Sequence, residues 1–229
     1  FVESVRGVSD ACRAITLKDN PDHATPIIAG NVSFYNESKN GAIPPSPIVS
    51  CLGRLKDVNK VVPMCFQGSG SVLLMIGERK NELGGSVYYS LFNEMGVNVP
   101  RPNLQEVKNQ IFALTDCIDR ELVLSCHDIA DGGLASTLAE MTFGKGIGCN
   151  VKTEVGLSMD EILFSETGGF VVEVLSKNID SVKLLFAKYG LNVFSIGNTG
   201  DDSILINNII KMSVDKTKKA WLGGLRNKL

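Results

Sequence analysis

Short apolar runs alternate with amphipathic segments between residues 71 and 213, and this alternation constrains the fold more than any other feature of the chain. Apolar runs of strand length that end at Gly or polar residues are typical of buried strands. Apolar residues three and four positions apart predict helices that cover a core. The predicted strands are 71–77, 122–124, 169–175 and 191–196, with a hairpin over 203–213, and the predicted helices are 103–118, 131–143 and 179–189. Helices interspersed with hairpin-linked strands predict an α+β fold in which helices cover one face of a mixed sheet.

The first 68 residues follow a different pattern. Val2, Val5 and Cys12 form a helical stripe from the first residue, with no initiator Met and no N-cap before it, so we expect a fragment that begins within a helix. Apolar runs at 26–29 and 48–52 predict two strands joined by a polar loop. Helix, strand, loop and strand in this order are typical of the closing portion of an α/β domain. We therefore expect a domain remnant over 1–68 and a complete domain over 69–229.

Composition argues against several classes of protein. The chain has 23 Lys and Arg residues against 25 Asp and Glu residues, and this balance predicts no nucleic-acid surface. A short basic cluster, Lys216, Lys218 and Lys219, is expected to face solvent. No apolar run has the length of a membrane helix and no signal peptide is recognisable, so a soluble cytoplasmic protein is expected. The six cysteines include no CxxC pair, which favours reduced and mostly buried thiols.

The stretch AGNVSFYNE, residues 29–37, is the most informative motif. Gly30 ends a predicted strand and would let a ligand approach the backbone, since it has no Cβ. The amide oxygen of Asn31 is a hard donor that suits Mg²⁺, and the hydroxyl of Ser33 can donate to a phosphate oxygen. The alternative is a polar turn that satisfies its own backbone, and residue chemistry alone favours that alternative.

Two glycine-containing turns and a carboxylate form a second group of candidates. The turn before a predicted helix at residue 131 could leave N–H groups open toward an anion, and Asp131 is placed to cap that helix. The other turn, at residues 84–86, also precedes a predicted helix but lacks the spacing of a Walker loop or a dinucleotide fingerprint. The candidate residues are Gly84, Gly85, Ser86, His127, Asp128, Asp131 and Glu166. For each of them a role in stabilising a loop is the simpler alternative.

Six segments in this order resemble the C-terminal half of the phosphoribosylformylglycinamidine synthase family. They are FVESVRGVSDACRA, TPIIAGNVSFYNES, AIPPSPIV, LGGSVYY, HDIADGGLASTLAEM and LFSETGGFVVEV, which span residue 1 to about residue 175. The resemblance implies the aminoimidazole ribonucleotide synthetase-like superfamily. Residues 1–68 would then be the remnant of a second ATP-binding domain, and residues 69–229 a synthetase C-terminal-like domain.

The resemblance also implies an activity and its residues. Such an enzyme is an ATP-dependent amidoligase of purine biosynthesis that phosphorylates the amide oxygen of formylglycinamide ribonucleotide and lets ammonia displace the phosphate. The resemblance assigns Gly30 to contact with ATP, Asn31 to binding of Mg²⁺ and Ser33 to contact with the substrate. The second group of candidates would form a degenerate second site. No catalytic residue is assigned to this chain, and Glu166 is followed by Thr167 and Gly168 where the catalytic half is expected to read Glu-Ser-Gln.

Further partners follow from the same resemblance. The N-terminal half of the enzyme would complete the active site, so the chain alone is expected to be inactive. Glutamine would supply the ammonia through a separate glutaminase subunit and a small bridging subunit. Two other hypotheses remain: another ATP-using enzyme of the superfamily, such as a selenophosphate synthetase or thiamine-monophosphate kinase, and a non-catalytic scaffold.

Overall fold

A seven-stranded mixed sheet forms the centre of the computed structural model, which describes residues 2–31, 37–43, 47–153 and 156–226. The helices are α1 (Val2–Ala14), α2 (Val87–Ser90), α3 (Leu104–Asp119), α4 (Gly133–Thr142), α5 (Met159–Phe164), α6 (Ile179–Lys188) and α7 (Val214–Arg226). The strands are β1 (Thr16–Leu17), β2 (Asn20–Ala24), β3 (Glu37–Ser38), β4 (Gly41–Ala42), β5 (Val72–Ile76), β6 (Ser125–Asp128), β7 (Cys149–Val151), β8 (Phe170–Val174), β9 (Val193–Thr199), β10 (Ser203–Ile206) and β11 (Ile210–Ser213). Two short 3-10 turns cover Val58–Lys60 and Ser176–Asn178.

The strands of the central sheet lie in the order β11-β10-β7-β9-β5-β8-β6. Strands β10 and β7 run parallel, while every other neighbouring pair in this sheet is antiparallel. Two separate hairpins, β1–β2 and β3–β4, precede the sheet. The expected α+β class with a mixed sheet is confirmed.

Helices cover both faces of the sheet. Along β5, Leu73 belongs to a core with α4, α5 and α7, whereas Leu74 belongs to a second core with α3 and α6. Successive side chains of a strand point to opposite faces, so the uninterrupted apolar run of β5 supplies both cores. The expectation that helices cover one face only is therefore wrong.

Several predicted boundaries shift in the structure. The strand expected at 122–124 lies at Ser125–Asp128, and the helix expected from residue 131 begins at Gly133. The runs 26–29 and 48–52 form no strands but lie in exposed, irregular backbone. Ile28 is 77% exposed and Ile48 is 97% exposed, so these apolar runs are not buried among the described residues. The predicted hairpin at 203–213 is confirmed, with Asn207 and Asn208 at φ 52° and 57° in its turn.

The part of the chain before Phe66 contributes little to either core. No described residue between Val2 and Cys65 is buried, and α1 itself buries none of its residues. Phe66, in contrast, is 1% exposed and belongs to the core with α4. The place of this change agrees with a boundary near residue 68, which stays a prediction. Among the described helices, none is both long and apolar enough to span a membrane.

Candidate functional site

Glu166 joins two turns that are distant in the chain. Its Oε1 atom accepts a hydrogen bond from the N–H of Val87 at 2.9 Å and from the N–H of Gly132 at 2.8 Å. Val87 is the first residue of α2, and Gly132 is the N-cap of α4. Backbone N–H groups at such positions favour a negatively charged acceptor. The structure thus brings Glu166 together with the turns that contain the candidates at 84–86 and Asp131.

The N–H groups of the first turn are paired within the chain. Gly84 donates to the carbonyl of Asn98 at 2.8 Å, Gly85 donates to Met95 at 2.7 Å, and Ser86 donates to Leu83 at 3.2 Å. The hydroxyl of Ser86 caps α2 by accepting a hydrogen bond from Tyr89 N–H. With Val87 bound to Glu166, this turn presents no open N–H group to an anion.

Close packing requires a glycine at residue 84. A Cβ atom there would lie 2.7 Å from the carbonyl carbon of Asn98 and 2.9 Å from the nitrogen of Val99. Both neighbours are backbone atoms that cannot rotate away, so any larger residue would separate the turn from the segment around Asn98. Gly84 is thereby explained by packing within the chain, without a ligand.

In the second turn the N–H groups of both glycines are also paired. Gly133 donates its N–H to the carbonyl of Ala130 at 2.9 Å, and Gly132 donates to Glu166. Gly133 has φ 66°, and a Cβ atom there would lie 2.6 Å from the carbonyl oxygen of Leu163. Asp131 is exposed and does not cap α4, because the N-cap position is occupied by Gly132 without a side-chain bond. The expected capping role of Asp131 is therefore wrong, and Glu166 supplies the acceptor in its place.

His127 lies near the end of β6 and contacts Glu140 and the backbone of Asp128. Its Nε2 atom lies 2.9 Å from Oε2 of Glu140 on α4, and its Nδ1 atom lies 2.8 Å from the backbone oxygen of Asp128. The other oxygen of Glu140 accepts a hydrogen bond from Trp221 Nε1 at 3.2 Å. The side chain of His127 is 14% exposed. These contacts connect β6 with α4 and α7, so they assign His127 a structural task.

Arg79 supports the loop that carries Glu166. Its Nη1 atom donates to the carbonyl of Ser165 at 3.2 Å, and its Nη2 atom donates to the carbonyl of Gly168. Burial lowers the pKa of Arg79 to about 10, although the nearby charge of Glu82 acts in the opposite direction. The guanidinium group fixes both ends of the turn, and this positions Glu166 between α2 and α4. Sequence reasoning did not single out Arg79.

Glu173 is a second residue that sequence reasoning missed. It is fully buried in β8, where Oε2 accepts hydrogen bonds from Gln67 N–H at 2.7 Å and Ser125 Oγ at 2.8 Å, and Oε1 accepts one from Gly68 N–H at 3.0 Å. A carboxylate within the apolar run FVVEV was a usable signal, because a buried charge requires several donors. Glu173 anchors the connector around residues 67–68 to the sheet.

The residues of the most informative motif lie outside the sheet. Gly30 and Asn31 are exposed, and a Cβ atom placed on Gly30 would have no heavy atom of the described residues within 4 Å. Ser33 lies outside the described residues. The part of the chain that the structure describes contains no group of three His, Cys, Asp or Glu side chains that could hold a metal ion.

The comparisons with known proteins agree with the fold. The PurL subunit of phosphoribosylformylglycinamidine synthase from Methanothrix thermoacetophila is 38% identical in an alignment that covers 99% of this chain and 30% of that subunit. Structures of PurL from Thermotoga maritima, among them complexes with ATP and with FGAR and the PurLQS structure, match 70% of this chain and 28% to 30% of their own chains. Their TM-scores are 0.57 to 0.59 at 15% to 17% identity, which shows a shared fold.

The chain spans about 30% of the length of the Methanothrix subunit that it matches. Its residues 68–206 match the family model described as AIR synthase related protein, C-terminal domain, and this match covers more than half of the chain. The expected superfamily is thereby confirmed, and the chain belongs to the family of AIR synthase related proteins with this C-terminal domain.

Proposed function

We propose that this chain forms part of an ATP-dependent amidoligase that converts formylglycinamide ribonucleotide to its amidine. The observation that carries the proposal is the similarity to a PurL subunit over 99% of the chain, including the exposed segment around Gly30 that lies outside the matched domain. ATP and FGAR, named in the complexes of the Thermotoga enzyme, are the corresponding substrates. The proposed enzyme would be a ligase of purine biosynthesis that acts in the cytoplasm.

The proposed reaction centre includes Gly30, Asn31 and Ser33. Gly30 is open on the side where a Cβ would stand, which leaves its backbone accessible to a nucleotide. The amide oxygen of Asn31 fits Mg²⁺ as a single ligand, since Mg²⁺ takes oxygen donors and keeps several from water and phosphate. Ser33 would donate its hydroxyl to the substrate. Further ligands and the second wall of the site would come from other parts of the enzyme.

The chemistry proposed for the site needs positioning more than it needs acid or base groups. The amide oxygen of formylglycinamide ribonucleotide attacks the terminal phosphate of ATP and releases ADP. Ammonia then attacks the amide carbon, and the C–O bond breaks so that the phosphorylated oxygen leaves as inorganic phosphate. When bound, Mg²⁺ would neutralise charge on the phosphates. The residues of this chain would hold the two substrates in line. This positioning would raise the reaction rate, because the bound substrates have already lost translational and rotational freedom before the reaction.

The second group of candidates has a structural role in this proposal. The N–H groups of Gly84, Gly85 and Gly132 all have partners within the chain, and the partner of Gly132 is the carboxylate of Glu166. A side chain held at 2.8 Å and 2.9 Å from two N–H groups competes strongly with a dissolved anion. We therefore propose that this degenerate second site holds the starts of α2 and α4 together.

Other subunits complete the proposal. The N-terminal half of the enzyme would supply the catalytic residues, and the chain alone would show little turnover. Ammonia would come from glutamine through a separate glutaminase and a small bridging subunit. The PurLQS structure of the Thermotoga relative supports the presence of partner subunits in general.

The test uses the complete enzyme and measures ADP release with formylglycinamide ribonucleotide, ATP and ammonia. Asn31→Ala and Ser33→Ala should each lower kcat/KM by about tenfold or more, because they remove contacts that align the substrates. Asn40→Ala is the matched control, since Asn40 is an exposed amide in the nearby β3–β4 turn, and it should leave activity unchanged. Unchanged activity in both test variants would contradict the site. Turnover with selenide or thiamine monophosphate in place of formylglycinamide ribonucleotide would favour the other enzymes of the superfamily.

A further inference from the structure

The segment that precedes Asn31 has polar contacts with the part of the chain that carries the central sheet and its helices, residues 66–226, which is called the sheet domain below. No described residue between Val2 and Cys65 is buried, so burial of apolar side chains does little to fix this part of the chain. Val2 and Val5 on α1 are 69% and 67% exposed. Specific hydrogen bonds and ion pairs, mainly with α3, therefore contribute to the position of the segment.

Lys18, in the turn between β1 and β2, makes the strongest of these contacts. Its Nζ atom donates to Oδ1 of Asp116 at 2.6 Å and to Oγ1 of Thr115 at 2.7 Å. The second oxygen of Asp116 accepts a hydrogen bond from the hydroxyl of Tyr189 at 2.7 Å. The side chains of Lys18 and Asp116 are 34% and 27% exposed, which weakens screening by solvent compared with a fully exposed pair. One carboxylate therefore joins the β1–β2 turn, α3 and the end of α6.

Further hydrogen bonds connect the β1–β2 hairpin with α1 and with Thr25, which precedes Asn31 in the chain. The strand β2 pairs with β1, and the next residue, Thr25, donates its N–H to Cys12 at 2.8 Å and its hydroxyl to Ile15 at 2.5 Å. Helix α1, the β1–β2 hairpin and Thr25 thus form one hydrogen-bonded unit. Asn31 follows Thr25 by six residues.

A second attachment lies downstream of Asn31 on the same helix. Lys60 donates through Nζ to the carbonyl of Asp119 at 2.6 Å, at the last residue of α3. The N–H of Cys126 donates to the carbonyl of Pro63 at 3.0 Å and ties the same stretch to β6. The segment with Asn31 is therefore held between two attachments, of which the Lys18–Asp116 pair is the upstream one.

We infer that Lys18 and Asp116 are positioning residues, which fix the Gly30–Asn31 segment relative to the sheet domain. The inference rests on the proposed function for the role of Asn31, but the attachment itself does not. Loss of the pair should loosen the unit formed by α1, the β1–β2 hairpin and Thr25 while leaving the two cores of the sheet domain intact.

Hydrogen exchange on the 229-residue chain tests the attachment without any assay of activity. Lys18→Met and Asp116→Asn should each speed exchange of the Thr25 amide and of the β2 amides by about threefold or more, with no change in β5 or β8. Lys18→Arg should keep the protection. Lys219→Met is the matched control, because Lys219 pairs with Asp215 at 2.7 Å on the exposed surface of α7. Unchanged exchange at Thr25 and β2 in both test variants would overturn the inference.

Kinetics of the complete enzyme test the consequence for the site. Lys18→Met should raise the KM for ATP by about threefold or more at saturating formylglycinamide ribonucleotide, with the melting temperature of the sheet domain unchanged, and Lys18→Arg should restore it. Faster exchange with an unaltered KM would overturn the positioning role. A wild-type enzyme that is inactive with formylglycinamide ribonucleotide would instead refute the proposed function, and the exchange result would then decide the attachment alone.

Discussion

Replacement of Glu173 by Gln should cause a large loss of stability. The carboxylate is fully buried and accepts three hydrogen bonds, from Gln67 N–H, Gly68 N–H and Ser125 Oγ, through both of its oxygens. A Gln side chain of the same shape offers one acceptor oxygen, so its NH₂ group must face at least one N–H or O–H donor. A buried donor without an acceptor costs about 1–3 kcal/mol, and the loss of charge weakens the remaining bonds.

The expected decrease in the free energy of unfolding is about 3 kcal/mol. For a chain of this length it corresponds to a fall in Tm of about 6–12 °C, measurable by calorimetry or circular dichroism. Ser125→Ala is a graded control that removes only one of the three donors, and it should cost about 1 kcal/mol. A Glu173→Gln variant with a Tm within about 1 °C of the wild type would refute the reasoning, since it would show that the charge and the second acceptor contribute nothing.

Three further outcomes follow from the described contacts. Glu166→Ala should lower stability by about 1–2 kcal/mol and speed exchange of the Val87 and Gly132 amides, because both lose their acceptor; hydrogen exchange and thermal unfolding check this. Iodoacetamide should label exposed Cys51 well before Cys149, as burial raises the pKa of Cys149 to about 12, and mass spectrometry of the timed reaction decides the order. The hydrogen bond to Asp116, with partial burial, raises the pKa of Tyr189 from 10.0 to about 12. Its stabilising effect should therefore be complete below pH 10 and disappear as the pH rises toward 12, which ultraviolet titration and denaturant unfolding can follow.

Local patterns were sufficient to predict most of the sheet domain. The run 169–175 and the hairpin at 203–213 became β8, β10 and β11 within one or two residues, because short apolar runs and an Asn-Asn turn are local signals. The strand at Cys149–Val151 was missed since it has only three residues, of which Asn150 faces solvent. Its identity as a strand depends on pairing with β9 and β10, which no local pattern reveals.

Side-chain partnerships across the chain were not predictable from the sequence. Glu166 and Gly132 are 34 positions apart, and Gln67 and Glu173 are 106 positions apart, so both bonds exist only after the sheet has formed. The exposed runs 26–29 and 48–52 failed for a related reason. A short apolar run forms a strand only where a neighbouring strand is present to pair with it. Among the described residues, no strand pairs with either run.

The glycine-rich turns show why a motif that suits a phosphate can serve another purpose. Gly84 is required because the backbone of Asn98 approaches to within 2.7 Å of where a Cβ would stand, and Gly133 is required by φ 66° together with the carbonyl of Leu163 at 2.6 Å. Both requirements come from packing of the chain against itself. The N–H groups of Gly84 and Gly133 donate to backbone carbonyls, and the carboxylate of Glu166 accepts from Val87 and Gly132. A glycine pair before a helix therefore indicates a nucleotide site only where no acceptor of the same chain already pairs with its N–H groups, a condition that the two turns joined by Glu166 do not meet.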